Sequence, residues 1–104
     1  TTQYADINYN NSNNLLNFYV NSASSTMTLD NNQRVGIGIS PPAYKLDVRD
    51  NQATNFVAQI YNTNNSINGD GLKIRLERNN INTGNVYVGF YSFGDNLKGS
   101  ITGN

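Results

Sequence analysis

The chain has 104 residues and a mass of 11.5 kDa, room for one small domain or two minimal ones and little for an active site with its supporting shells. It contains no Cys and no His, which removes disulfides, thiolate metal sites, the usual general base and the commonest zinc ligand. Seven Lys and Arg balance seven Asp and Glu, and a net charge of +0 supplies no overall field to draw in nucleic acid or anionic lipid.

Asn stands at 21 positions, against one Glu (Glu77) and five Ala. Asn and Gly favour turns and the left-handed backbone region, whereas Ala, Glu and Leu would be needed to fill helix faces. Leu, Ile, Val and Phe together make 25 residues, above the roughly one-fifth level at which disorder becomes the default, so the chain is expected to fold. No run of 18 apolar residues is present to span a membrane, and Thr1 opens a segment without the basic and apolar parts of a secretory signal. A start at Thr is expected of a fragment or processed piece of something longer.

Apolar residues recur at period two, which places alternate side chains on opposite faces of a strand. Ala5, Ile7 and Tyr9 alternate first, then Leu16, Phe18 and Val20 after a polar turn at 10–14. Met27 and Leu29 lead into Asp30-Asn31-Asn32-Gln33, and Val35, Ile37 and Ile39 follow, the pattern of a hairpin with a short turn. Pro41-Pro42 stops that strand, and Tyr44, Leu46 and Val48 start another with Lys45, Asp47 and Arg49 on its opposite face.

A shift to charged and then polar residues at 49–54 divides the chain into an N-terminal segment, 1–49, and a C-terminal module, 50–104. In the module, Phe56, Ala58 and Ile60 alternate, and a long polar connection at 62–71 contains the turn-prone Asn68-Gly69. Leu72, Ile74 and Leu76 are expected in the core, with Lys73, Arg75 and Glu77 in water. Val86, Val88 and Phe90 repeat the pattern after another Asn-rich loop, with Tyr87 and Tyr91 opposite, and Gly94-Asp95-Asn96 turns the chain into Leu97, Gly99 and Ile101. There is no exact internal repeat.

Few residues suggest chemistry. Gly36-Ile37-Gly38 begins like a dinucleotide loop, but no third Gly follows at the required spacing and Pro41-Pro42 stands where the helix would start, so close backbone approach along a strand explains it better. Asp30, Asp47, Asp50, Asp70 and Asp95 are scattered outside any calcium-type loop and read as turn residues and solvated strand faces. Nothing marks Ser40, Ser92 or Ser100 as a strained nucleophile, and the Asn-x-Ser matches at Asn10 and Asn64 arise readily in so Asn-rich a chain. Glycosidases need two carboxylates set across a sugar ring, and the single Glu alternates with Lys73 and Arg75 on a solvated strand face. The expectation is a protein that is not an enzyme, with no catalytic, cofactor-binding or metal-binding residues and no cofactor. Among the aromatic residues, Phe18, Phe56 and Phe90 are in phase with aliphatic neighbours and are assigned to the core. Tyr19, Tyr61, Tyr87 and Tyr91 lie on the other faces, and Tyr61, Tyr87 and Tyr91 are the candidate receptor or glycan contacts.

Val35-Gly36-Ile37-Gly38-Ile39-Ser40-Pro41-Pro42-Ala43-Tyr44-Lys45-Leu46-Asp47-Val48 closely resembles the V-G-I-G-T-x-x-P-x-Y-K-L-D-V motif of bacteriophage tail fibres and related fibrous surface proteins, departing at Ile39, where Thr is usual. Tyr4-Ala5-Asp6-Ile7 and Leu16-Asn17-Phe18-Tyr19-Val20 resemble the strand pairs that precede the motif, and the stretch from Gly99 to Asn104 resembles the one before a C-terminal chaperone that trimerises such fibres and then cuts itself off. The least familiar part is 62–96.

The resemblance implies an all-β fold of short antiparallel strands and hairpins, assembled into an intertwined, β-prism-like homotrimeric fibre. In this reading 1–49 is fibre shaft and 50–104 the C-terminal β module, in a virion component located outside the cell. Its function would be to extend and display a host-receptor-binding tip. Partners would be two further copies, neighbouring fibre segments and a host-surface glycan or protein, with no nucleic acid and no membrane insertion. The chain would be the mature product of the self-cleavage step, trimerised while the chaperone was attached. The alternatives are a carbohydrate-binding module for a host surface polysaccharide and a bacterial adhesin fibre segment.

Overall fold

The computed structural model describes residues 4–21, 24–77, 84–92 and 94–103, and the Asn-rich loop expected before Val86 lies mostly outside them. The chain divides into two units, Thr1–Gln59 and Ile60–Asn104. The described residues form seven β-strands and no helix.

In the first unit, β1 (Ala5–Asn10), β2 (Leu15–Val20), β3 (Met27–Asp30), β4 (Val35–Ile37) and β5 (Leu46–Val48) make one sheet in chain order. The first three pairings are antiparallel, between strands whose alternate residues are apolar and suit the face of a pleated sheet. Asn and Asp build the turns between them. The Asn10 side chain accepts from the Ser12 N–H at 2.9 Å, and Asn14 closes the first turn at φ 55°. Asn21, at φ 48°, ends β2 and donates its N–H to the Tyr4 carbonyl at 2.7 Å. The Asp30 carboxylate accepts from the N–H groups of Asn32 and Arg34, while Gln33 takes the left-handed conformation at φ 59° that joins a turn to the next strand. Of the four described non-glycine residues with positive φ, three are Asn or Asp, which is where part of the unusual Asn content is used.

The pairing of β4 with β5 departs from the expected antiparallel pattern. It is parallel, with Val35, Gly36 and Ile37 opposite Leu46, Asp47 and Val48. A parallel pair ordinarily needs a crossover of a dozen or more residues; here 38–45 suffice because Gly36 and Gly38 allow the chain to fold back on itself. A Cβ on Gly36 would collide with the Ile39 carbonyl and crowd Pro42, and one on Gly38, at φ +70°, would collide with the Arg49 carbonyl. Close backbone approach is therefore what these two glycines serve, as their spacing suggested.

In the second unit, β6 (Val86–Ser92) and β7 (Asn96–Thr102) form an antiparallel ribbon. Gly94 and Asp95, at φ 76° and 56°, make the reversal. Two irregularities displace the expected phase: Tyr87 is an extra residue between the pairs Val86–Thr102 and Val88–Ile101, and Lys98 an extra residue between Phe90–Gly99 and Tyr91–Leu97. Val88, Phe90, Gly99 and Ile101 thus share one face, while Val86 and Leu97 move to the face of Gly89 and Tyr91.

Two sequence expectations are corrected. Phe56, Ala58 and Ile60 form no strand, and Phe56 is 95% exposed. Leu72, Ile74 and Leu76 are not a buried strand either: 71–77 is irregular, Leu72 is 64% exposed, Ile74 is exposed and Leu76 half-buried. Period-two patterning shows which side chains could share a face, but a strand exists only where a second backbone accepts its hydrogen bonds, and among the described residues these segments meet none.

Candidate functional site

The register of the five-stranded sheet lines up its apolar residues. Ile7, Phe18, Met27, Ile37 and Val48 are successive cross-strand partners, one from each strand, and so are Tyr9, Leu16, Leu29, Val35 and Leu46. Ala5 and Val20 extend the same face at one end. Cross-strand partners project from the same side of a sheet, so these residues form one continuous apolar face without a charged residue. None of the unit's described residues covers it fully: Ile7 is 68% and Leu46 65% exposed, Tyr9, Val20 and Ile37 are exposed, and Leu16, Phe18, Met27, Leu29, Val35 and Val48 are half-buried.

The opposite face is the one the chain covers with its own loops, and it is polar. Its central rung runs Asn8, Asn17, Thr28, Gly36, Asp47. Thr28 is fully buried, its hydroxyl donating to Asn17 Oδ1 at 2.9 Å and lying 3.0 Å from Ser25 Oγ. Gly36 leaves room for the 38–45 loop to lay Pro42, also fully buried, against the sheet. Leu15 is the buried apolar residue of this side. The usual arrangement of a one-sided sheet, with the apolar face inside and the polar face wet, is reversed in the single chain.

Asp47, expected on a solvated strand face, is buried beneath the same loop. Its Oδ2 accepts from the Ala43 N–H at 2.8 Å, and both carboxylate oxygens receive the Arg49 guanidinium at 2.8 and 2.9 Å. The side-chain hydrogen bond from Arg49, followed by that backbone N–H, holds the Asp47 carboxyl below its ordinary value despite burial, and the same pair raises Arg49. At the β3–β4 turn, the Arg34 guanidinium grips Asp30 at 2.6 and 2.7 Å and lowers that carboxyl likewise. Both ion pairs brace connections of the sheet. Among the described residues no cluster of Asp and Glu could hold a metal ion.

The three candidate contact tyrosines stand in different local settings of the second unit. Tyr61 is 73% exposed in an irregular segment, Tyr87 is the half-buried extra residue of the β6 irregularity, and Tyr91 pairs with Leu97 with its ring over Gly89, where a Cβ would stand. The apolar face, by contrast, gathers residues from all five strands. The alternation of each strand was legible beforehand; that the five alternations come into register on one side was not. No family model, curated protein or solved structure shows a significant match to the chain.

Proposed function

We propose that this chain is a structural segment of a homotrimeric fibre of the bacteriophage tail-fibre kind, a virion component that extends and displays a host-receptor-binding tip outside the cell. The observation that carries the reading is the incompletely covered apolar face of the β1–β5 sheet, two full five-residue rungs with no charge among them. A face of this extent on a small monomer is a burial surface awaiting a partner. A second copy fits it as well as any partner could, because apolar side meets apolar side with no like charges opposed. Closing three sheets around an axis buries all three faces and leaves the polar sides, already overlaid by the 38–45 loops, outward. The choice of three copies rests on the resemblance of the segment Val35 to Val48 to the tail-fibre motif; a two-copy sandwich would cover the face too, and mass distinguishes them.

The test is sedimentation equilibrium or native mass measurement at micromolar concentration. The expected particle has three times the 11.5 kDa chain mass. A well-folded monomer overturns the reading and favours a self-contained binding module. Receptor contact is tested separately, by screening the assembled protein on a glycan array beside its Tyr61→Ala and Tyr91→Ala variants, these two rings being exposed. Binding lost in either variant would assign the ring; binding unchanged in both would remove these tyrosines as contacts.

A further inference from the structure

Segment 71–77 is the most strand-like stretch of the described chain that has no strand partner. Leu72, Ile74 and Leu76 alternate with Lys73, Arg75 and Glu77. Arg75 and Glu77 form an ion pair at 2.9 Å, and residues two apart meet in this way where the backbone is extended and i and i+2 share a face. Yet among the described residues no backbone group of 71–77 is hydrogen-bonded to another. An extended, alternating segment with a free backbone is half of a sheet pairing.

The same unit contains the other half. Among the described residues the β6–β7 ribbon has two strands, and two strands alone are marginally stable in water; a third is normally required. Its apolar residues are open on both faces, with Phe90 and Ile101 exposed on one and Tyr91 and Leu97 on the other. Its two outer edges are unlike. β7 has Lys98 as its extra residue, a charge and an irregularity of the sort that blunts an edge against pairing. β6 carries no charged residue from Val86 to Ser92, and beyond Tyr87 its outer edge runs regularly.

We propose that, in the assembled fibre, residues 72–77 of one copy add as a third strand along the outer edge of β6 in a neighbouring copy. The inference rests on the homotrimer reading. The donor is assigned to a neighbouring copy because, among the described residues of the single chain, segment and edge stay unpaired even though the 78–85 connection is long enough for a hairpin between them. Backbone hydrogen bonds supply the attraction, and the alternation supplies the register of faces. Leu72, Ile74 and Leu76 come to lie beside Val88 and Phe90, continuing the row that includes Ile101. Lys73, Arg75 and Glu77 fall on the Tyr91 side, where the Arg75–Glu77 pair is kept.

The chain has no cysteine of its own, so introduced pairs are the only thiols present. In the full chain, Cys at 72, 74 or 76 is combined with Cys at 88 or 90, oxidised, and run on a denaturing non-reducing gel. The expected result is covalently linked dimers and trimers in at least one of these pairs, with none from single-Cys chains or from Lys73→Cys or Arg75→Cys combined with the same β6 positions. Links confined within one chain, or equal linking by the position 73 and 75 controls, overturn the inference. Hydrogen exchange on the unsubstituted protein gives a readout independent of mutant folding: amides 72–77 are expected to exchange on the order of a hundredfold more slowly than in an unstructured peptide, and unprotected exchange overturns the proposal. The unsubstituted chain is sedimented in parallel. A trimer without these links or this protection refutes only the strand addition, whereas a monomer refutes the homotrimer reading itself.

Discussion

Adjacent residues on β1 provide the sharpest test of which sheet face matters. Ile7 and Asn8 are both exposed in the single chain and point to opposite sides of the sheet, Ile7 partnering Phe18 on the apolar face and Asn8 partnering Asn17 on the polar one. If the chain acted alone, Ile7→Asp and Asn8→Asp would both be ordinary surface substitutions, each worth within about 0.5 kcal/mol. In the proposed trimer their consequences separate. Fully burying an Ile side chain is worth about 1.5–3 kcal/mol. Ile7 is 68% exposed before assembly, so closing the face contributes about two-thirds of that, ~1–2 kcal/mol per chain and ~3–6 kcal/mol for three copies. Losing the transfer term alone weakens the three-chain equilibrium by roughly a hundredfold to ten-thousandfold, and desolvating three carboxylates adds several kcal/mol more. Sedimentation velocity over a concentration series is the assay. Ile7→Asp should sediment as a folded single chain where the parent and Asn8→Asp sediment as trimers. Equal assembly of the two variants would refute the argument, since it would mean the apolar rungs stay in water.

Other consequences follow from the covered side of the sheet. Thr28→Val removes the hydroxyl that satisfies Asn17 Oδ1 in a fully buried position and should cost about 1–3 kcal/mol in denaturant unfolding, with no change in particle mass at low denaturant. Gly36→Ala drives a methyl into the Ile39 carbonyl and should destabilise the first unit by about 1–3 kcal/mol, read as a lower thermal midpoint, whereas Gly71→Ala, with open space around its Cβ position, should be close to neutral. Asp30 and Asp47 have lowered carboxyl values in the fold, so the unfolded chain takes up their protons first; the stability they contribute is complete above the ordinary carboxylate value of 3.8 and is lost as pH falls below it towards the folded values. Acid titration followed by circular dichroism should show that loss, and Asp47→Asn should flatten the profile.

The sequence alone settled the class of the fold and most of its strands. Period-two apolar residues identify β1 to β5 and the ribbon strands β6 and β7, because alternation is a property of one strand and needs no knowledge of its neighbours. The 10–14 and 30–33 segments could be read as turns because the Asn10 and Asp30 side chains act on backbone groups a few residues away and Asn14 readily takes positive φ. Gly36 and Gly38 could be read as points of close approach for the same local reason.

What the tertiary structure decided is everything that depends on which backbone lies beside which. The parallel β4–β5 pairing, the burial of Asp47 under the 38–45 loop and the alignment of Ile7, Phe18, Met27, Ile37 and Val48 into one rung all join residues far apart in the chain. Residues 54–60 and 71–77 have the alternation of strands and yet are none, because alternation marks a face while pairing requires a partner's backbone. One inserted residue at Tyr87 and one at Lys98 carry Val86 and Leu97 to the opposite side of the ribbon, an outcome of pairing that no count along a single strand can give, since a slip of one residue reverses every side chain beyond it.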